Sequence, residues 1–276
     1  MLKQRTLTAL VLAPIAVLLI LFAPTAVFAL VIGALCLQAL WEWTRLAGLE
    51  AIAPRVAILV ANVLACAGLW TLRDHPAAWI VIGAGVGGWL LALAWLRHFS
   101  WAAAPTPENA AIKIAAAELA VLPAWLALMH LHAEPVHGHA WALFSVALIW
   151  AADTFAFFAG KRYGTTKLAP RISPNKTRAG MWGALVGAGV LALLAGWLLG
   201  ERGAGLAGLV LLSLLTVLAS IVGDLIESLL KRQANVKDSG TLFPGHGGLL
   251  DRVDSLFAAV PVFVAGKALL DLALSA

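Results

Sequence analysis

The chain is 276 residues long, 62% hydrophobic and only 12% charged, with a mean hydropathy of +0.93. Soluble domains run at about 45–50% apolar and 25% charged residues, so a water-soluble fold is excluded. The formal charge of +5 is no argument for nucleic acid, because a basic face turned to an anionic leaflet accounts for it.

Apolar windows fall in order at 7–23, 25–44, 54–72, 77–96, 113–131, 140–159, 181–199, 205–230 and 254–274. About 20 apolar residues cross a hydrocarbon core of about 30 Å. The sequence therefore predicts an all-α polytopic membrane protein of about nine transmembrane helices. Residues 1–110 hold the first spans, and residues 111–276 hold the later spans and the loops with the candidate site. Lys3 and Arg5 precede the first window, which reads as an uncleaved helix because so apolar a chain has no use for a secretory leader. Pro24, Pro54, Pro76, Pro105, Pro107, Pro135 and the run from Pro170 to Pro174 punctuate the spans, as residues that break or begin helices do. Cys36 and Cys66 lie inside apolar runs without metal or disulfide spacing.

Counted by alternate sides, sixteen of the 19 Lys and Arg fall on one side, and Arg73, Arg202 and Lys267 on the other. The positive-inside rule then predicts a cytoplasmic amino terminus and basic loops, an external carboxyl terminus, and residence in the inner (cytoplasmic) membrane. Trp41, Trp43, Trp70, Trp79, Trp101 and Trp141 fall near span ends and are expected to form an interfacial belt.

Charged groups inside spans cost at least about 2.5–3.5 kcal/mol at a helix centre and mark function by default. Asp153 lies well inside the sixth span. Ser220, Asp224, Glu227 and Lys231 share one face of the eighth, where two neighbouring carboxylates require a cation between them, Lys231 or a metal. Glu42 and Glu118 are single acids and are expected to be structural, Glu42 by reaching the interface. His130, His132, Glu134, His137 and His139 crowd one loop on the opposite side from the basic loops, and a solvated polar loop is expected there rather than a metal site.

From Ser228 to Asp254 the chain gathers cations (Lys231, Arg232, Lys237, Arg252), glycines that let backbone amides approach a phosphate (Gly245, Gly247, Gly248), and acids for a hard cation (Asp238, Asp251, Asp254). Together these residues describe a metal–phosphate site. Residue types alone leave open a lipid kinase or another nucleotidyltransferase. Intramembrane acids also suit a transporter or channel, although these polar groups gather at one membrane face rather than at the midplane.

The pattern S-x-x-K-R-x4-K-D-x-G-x2-F-P-x-H-G-G-x2-D-R-x-D over Ser228–Asp254 resembles the signature of the phosphatidate cytidylyltransferase family. The segment Asp153–Lys161, Lys167, Pro170, Ser173–Thr177 and Gly223–Ser228 are similar to that family as well, with Ala179 at a position where such proteins often carry an acid or amide. The resemblance implies transfer of CMP from CTP to phosphatidic acid, yielding CDP-diacylglycerol and pyrophosphate in the bilayer, with no nucleic acid as partner and a homodimer as one arrangement open to it. It also implies Mg²⁺ as cofactor, with a second cation open, held by Asp224 and Asp251 together with Asp254 or Asp153. Asp224, Asp251, Lys237, Asp238 and His246 are the expected catalytic residues. Lys167, Ser173, Lys176, Thr177, Ser228, Lys231, Arg232, Gly247, Gly248 and Arg252 are the expected substrate contacts.

Overall fold

The computed structural model describes residues 2–242 and 247–275, with side chains from Leu12 onward. In chain order these form α1 (Leu2–Phe22), α2 (Thr25–Leu46), α3 (Ile52–Leu72), α4 (Ala78–Arg97), α5 (Pro107–His132), α6 (Gly138–Tyr163), β1 (Lys167–Ala169), β2 (Ser173–Thr177), α7 (Arg178–Leu198), α8 (Gly203–Gln233) and α9 (Leu250–Ser275). α2 to α9 are each long and apolar enough to cross a membrane, so the protein is a multi-pass membrane protein.

Local chemistry sets the helix boundaries. Pro24 precedes α2 in an extended conformation (ψ 144°), and Thr106 caps α5 by accepting the Asn109 N–H at 3.3 Å, with Pro107 opening the first turn. Inside the bundle the helices approach on small residues, which is how membrane helices gain packing without a hydrophobic drive between them. A Cβ on Gly183 of α7 would lie 2.7 Å from the Phe155 carbonyl oxygen of α6, and one on Gly223 of α8 would lie 2.7 Å from the Asp254 carbonyl oxygen of α9. The second of these close approaches brings the acids of α8 and α9 together. α5 threads the middle, packing on α2, α3, α4, α6 and α9, and buried indoles tie the helices by donating to backbone, Trp89 to Phe257 O at 3.0 Å and Trp125 to Ala29 O at 3.1 Å.

Contacts between helix ends sort the bundle into two faces. At one end, Gln233 of α8 donates to the carbonyls of Phe99 and Trp101 after α4, and Glu42 of α2 meets the start of α9. At the other end, His132 and His139 reach the Ile20 and Leu21 carbonyls that end α1. The loops thus alternate between ends as the windows predict.

The loop after α6 carries a short two-stranded hairpin, β1 pairing antiparallel with β2, with Lys167 opposite Thr177 and Ala169 opposite Ser173. Two expectations are corrected. Trp43 and Trp141 are 2% and 5% exposed and belong to the core rather than to an interfacial belt. The histidine loop is not solvated as a whole: His132 is buried at 1% exposure, stacked between Phe28 and His139. Its two ring nitrogens meet Thr25 Oγ1 and Ile20 O, so it supplies a partner to one carbonyl that the end of α1 leaves open. In the same loop, burial pushes the Glu134 carboxyl up, and the charges of Lys267 and His130 pull it back.

Candidate active site

Between α6, the hairpin, α7 and α8 lies an open cavity of about 410 Å³, lined by Asp153, Lys161, Asn175, Lys176, Thr177, Ser220 and Asp224 among others. Its geometry begins at Thr177. The Thr177 hydroxyl caps α7 by accepting the Gly180 N–H at 3.1 Å, and Gly160 of α6 is bare enough to pack against that cap, since a Cβ there would stand 3.1 Å from Oγ1. β2 is thereby held against the end of α6, and Lys176, one residue before the cap, forms an ion pair with Asp224 of α8. Arg232 Nε donates to the Ile172 carbonyl at 3.2 Å and fastens the hairpin turn to α8 from the other side.

Asp224 has both oxygens engaged, Oδ2 by Lys176 and Oδ1 by the Ser228 hydroxyl at 3.3 Å. Asp153 feels the charges of Asp224, Lys176 and Arg252. Asp254, 8% exposed, feels those of Asp224, Lys176 and Lys231, and its Oδ1 accepts the Ser255 N–H at 2.6 Å. Three carboxylates from α6, α8 and α9 therefore share one electrostatic neighbourhood with Lys176 and Arg252.

The residues after α8 are organised by a side chain from α2. Glu42, 4% exposed, accepts the Leu249 and Leu250 N–H groups at 3.0 and 2.9 Å and the Ser239 hydroxyl at 2.8 Å. It satisfies amides that the start of α9 leaves open, where a carboxylate also favours the positive end of the helix. Asp251 Oδ2 accepts the Ser239 and Gly248 N–H groups at 2.9 and 2.8 Å and lies 2.9 Å from the Ser239 hydroxyl, whose one proton it shares with Glu42. Its Oδ1 faces Lys231 Nζ at 2.6 Å, and the same ammonium lies 2.5 Å from Glu227 Oε2. The cation that the paired carboxylates require is thus Lys231 between Glu227 and Asp251, and Lys176 at Asp224. Gly247 adopts φ +83°, and a Cβ on Gly248 would collide with Glu42 and Ser239, so the glycines here permit close packing of backbone on acids.

Of the residues singled out in the sequence, Asp153, Lys176, Thr177 and Asp224 line the cavity. Ser228 bonds to Asp224 behind the lining, whereas Lys231 and Asp251 pair with each other beside Glu227 and Asp254 is buried at the start of α9. Lys167 is exposed and Ser173 half-buried on the hairpin. Lys237 and Asp238 are exposed, the latter beside Gly247. Arg252 is exposed at the start of α9. Gly245 and His246 lie outside the described residues. Glu42 is structural as expected, but by burial under the loop rather than by reaching the interface. Sequence reasoning did not place Lys161 and Asn175 in the cavity lining. It also gave no sign of Glu42's role, because a lone acid near a span end does not reveal partners some 200 residues away in the chain.

All candidate donors to a metal are carboxylate or hydroxyl oxygens, the chemistry that a hard divalent cation takes. Among the described residues no three His, Cys, Asp or Glu are grouped as a ready-made metal cage. Mg²⁺ commonly uses one or two carboxylates and takes its remaining ligands from phosphate and water.

A helical membrane bundle with acids, lysines and glycines gathered at one end is the framework of a lipid-facing phosphoryl- or nucleotidyl-transfer enzyme. A family model described as the cytidylyltransferase family matches residues 3–269. A phosphatidate cytidylyltransferase of Pseudomonas aeruginosa is 40% identical over 271 residues, covering 96% of each chain. One of Haemophilus influenzae is 37% identical over 285 residues, covering 95% of this chain and 97% of the relative. One of Bacillus subtilis is 42% identical over 125 residues, 45% of this chain. The chain belongs to the cytidylyltransferase family.

Proposed function

We propose that this protein transfers CMP from CTP to phosphatidate, releasing pyrophosphate and leaving CDP-diacylglycerol in the membrane. Full-length relatives named phosphatidate cytidylyltransferase support the substrates. The single structural observation that carries the reading is the cavity at one end of the bundle, where Lys176 and the acids of α6 and α8 meet. A lipid phosphate oxygen forms a bond to the α-phosphorus of CTP while the bond from that phosphorus to the bridging oxygen breaks. The electron pair leaves with pyrophosphate. The attacking oxygen is already anionic near neutral pH, so alignment and charge neutralisation matter more than a strong base.

Lys176, freed from Asp224 when a triphosphate competes for it, binds phosphate oxygens, and Lys161 and Asn175 add donors along the same wall. Lys231 and Asp251 hold the loop of Lys237, Asp238, Gly247 and Gly248 against the cavity. Asp224 and Asp251, with Asp153 and Asp254, are the proposed metal carboxylates. Asp251 commits Oδ2 to the loop, and its Oδ1, which Lys231 Nζ meets at 2.6 Å, would turn to the metal once that ammonium moves to a phosphate. Mg²⁺, when bound, would neutralise charge on the phosphates and the departing pyrophosphate.

The proposal places this end of the bundle in the cytoplasm of a cell bounded by the inner membrane, where CTP is available. It includes the homodimer, which the mass of the protein in detergent tests: a monomer mass removes it. The test is incorporation of radiolabelled CTP into lipid extract by purified protein given phosphatidate. Label enters the lipid with Mg²⁺ and stops in EDTA. Absence of labelled lipid sinks the activity, and undiminished labelling in EDTA sinks the metal.

A further inference from the structure

Phosphatidate is amphipathic, so a site for it needs a cation for the phosphate joined to apolar space open to lipid. Three apolar cavities bear on this. One, between α2, α3 and α5, runs from Ala26 and Leu30 to Trp70. Another, between α2, α4, α5 and α8, is walled by Trp43, Trp89, Trp95 and Trp101. Neither has a charged residue in its lining. The third, of about 250 Å³, lies between α1, α2, α5, α6 and α9, and its lining carries one charge, Arg252.

We propose that this third cavity is the acyl-chain slot for phosphatidate, with Arg252 at its head binding the lipid phosphate. The proposal deepens the reading of phosphatidate as substrate and rests on it. Arg252, exposed at the start of α9, stands at the mouth of this apolar lining, so the cavity joins a cation at the bundle end to apolar space below. Trp150 of the slot and Asp153 of the catalytic cavity are three residues apart on α6, and Arg252 is one of the charges that Asp153 feels. The head of the slot and the proposed reaction centre are therefore neighbours, as the reaction requires, since the reacting atom of phosphatidate is the phosphate itself. Guanidinium is the side chain best shaped to hold a phosphate through paired donors.

Below Arg252 the lining continues along α9 through Val253, Leu256 and Val260, about 12 Å of depth at 1.5 Å per residue. The far end is closed by Phe28, whose ring stacks on His132 at 4.2 Å. The buried histidine stack thereby acquires a role as the floor under the slot. On the lipid side, Leu35 of α2 and Trp150 of α6, 39% and 37% exposed, flank an opening through which one acyl chain enters while the other stays in the bilayer.

The test uses the full-length protein in lipid nanodiscs and a phosphatidate bearing a diazirine near the end of one acyl chain. Photolabel is expected on peptides of α1, α2 and α9, displaced by excess phosphatidate and not by phosphatidylcholine. Leu256→Trp and, independently, Ala16→Trp are each expected to cut that labelling. They should also lower the ratio of kcat/KM for dioleoyl over dihexanoyl phosphatidate tenfold or more. Arg252→Ala should raise the KM for phosphatidate more than that for CTP. Labelling concentrated on the Phe157 and Trp182 face, equal loss of both chain lengths in both Trp variants, or a selective rise in the KM for CTP overturns the slot. If wild-type protein transfers no CMP at all, the proposed function fails instead, and the photolabel alone then decides the slot.

Discussion

At the scale of single residues, Asp224 and Asp251 differ in what else they hold. Among the described residues Asp224 bonds only to side chains, Lys176 and Ser228, whereas Asp251 accepts two backbone amides that fold the loop. Asp224→Asn should therefore lower turnover on the order of a hundredfold, the effect expected on losing a carboxylate of the proposed metal site, while leaving thermal unfolding in detergent near wild type. Asp251→Asn should lose activity and stability together. Equal Tm values for the two variants would remove the distinction. Glu42→Gln is the sharper structural test. An amide replaces one of two acceptor oxygens under the Leu249 and Leu250 amides, at a cost of about 2–3 kcal/mol for charge-assisted bonds in a buried site, or a Tm drop of about 5–10 °C. Glu118→Gln should do much less to turnover, since Glu118 meets Asn62 Nδ2 at 2.8 Å in the α3–α5 contact, away from the cavity. The candidate acids were legible because charge in a span is costly wherever it sits. Their division of labour was not, because it depends on which amides each oxygen meets across the bundle.

At the scale of elements, the spans were legible from hydropathy alone, and the departures have local causes. α8 runs 31 residues, about 46 Å at 1.5 Å per residue, well beyond the roughly 30 Å hydrocarbon core. The window ended at 230 because Lys231 and Arg232 are polar, yet they continue the helix and stand at its end. The hairpin was not legible because three- and five-residue strands containing Pro174 carry no alternation of apolar and polar residues. Its place depends on close contact between α6 and α7, which gives a test at Gly183. Gly183→Leu drives a side chain into the Phe155 backbone, tilts α7 away and moves Lys176 off Asp224, so transfer activity should fall at least tenfold. Gly189→Leu on the same helix, where a Cβ meets nothing within 4 Å, should be tolerated. Equal effects of the two substitutions would show that the α6–α7 contact does not position the hairpin.

At the scale of the whole molecule, the order of loops is settled by contacts between helix ends, but the side of the membrane each end faces is a matter of charge. The hairpin end carries Lys161, Lys176, Lys231 and Arg252, and the opposite end Arg73, Arg202 and Lys267, the minority set among the 19 basic residues. Basic loops are retained on the cytoplasmic side, and the proposed reaction draws CTP from there, so both predict that the hairpin end faces the cytoplasm. Single cysteines at Thr166, exposed at the hairpin, and at Ser275, exposed at the end of α9, test it in a background with Cys36 and Cys66 replaced by Ala. A membrane-impermeant thiol reagent added to intact cells should label the Ser275 position at once and the Thr166 position only after permeabilisation. The reverse pattern would put the cavity on the side without CTP, and the proposed reaction would fail with it. Labelling of both positions in intact cells would mean mixed insertion, which a sixteen-to-three division of basic residues should prevent. Moving the balance is the complementary experiment. Adding lysines to the short Arg73–Pro76 turn should weaken the bias and let label reach the Thr166 position in intact cells, in proportion to the loss of CTP incorporation.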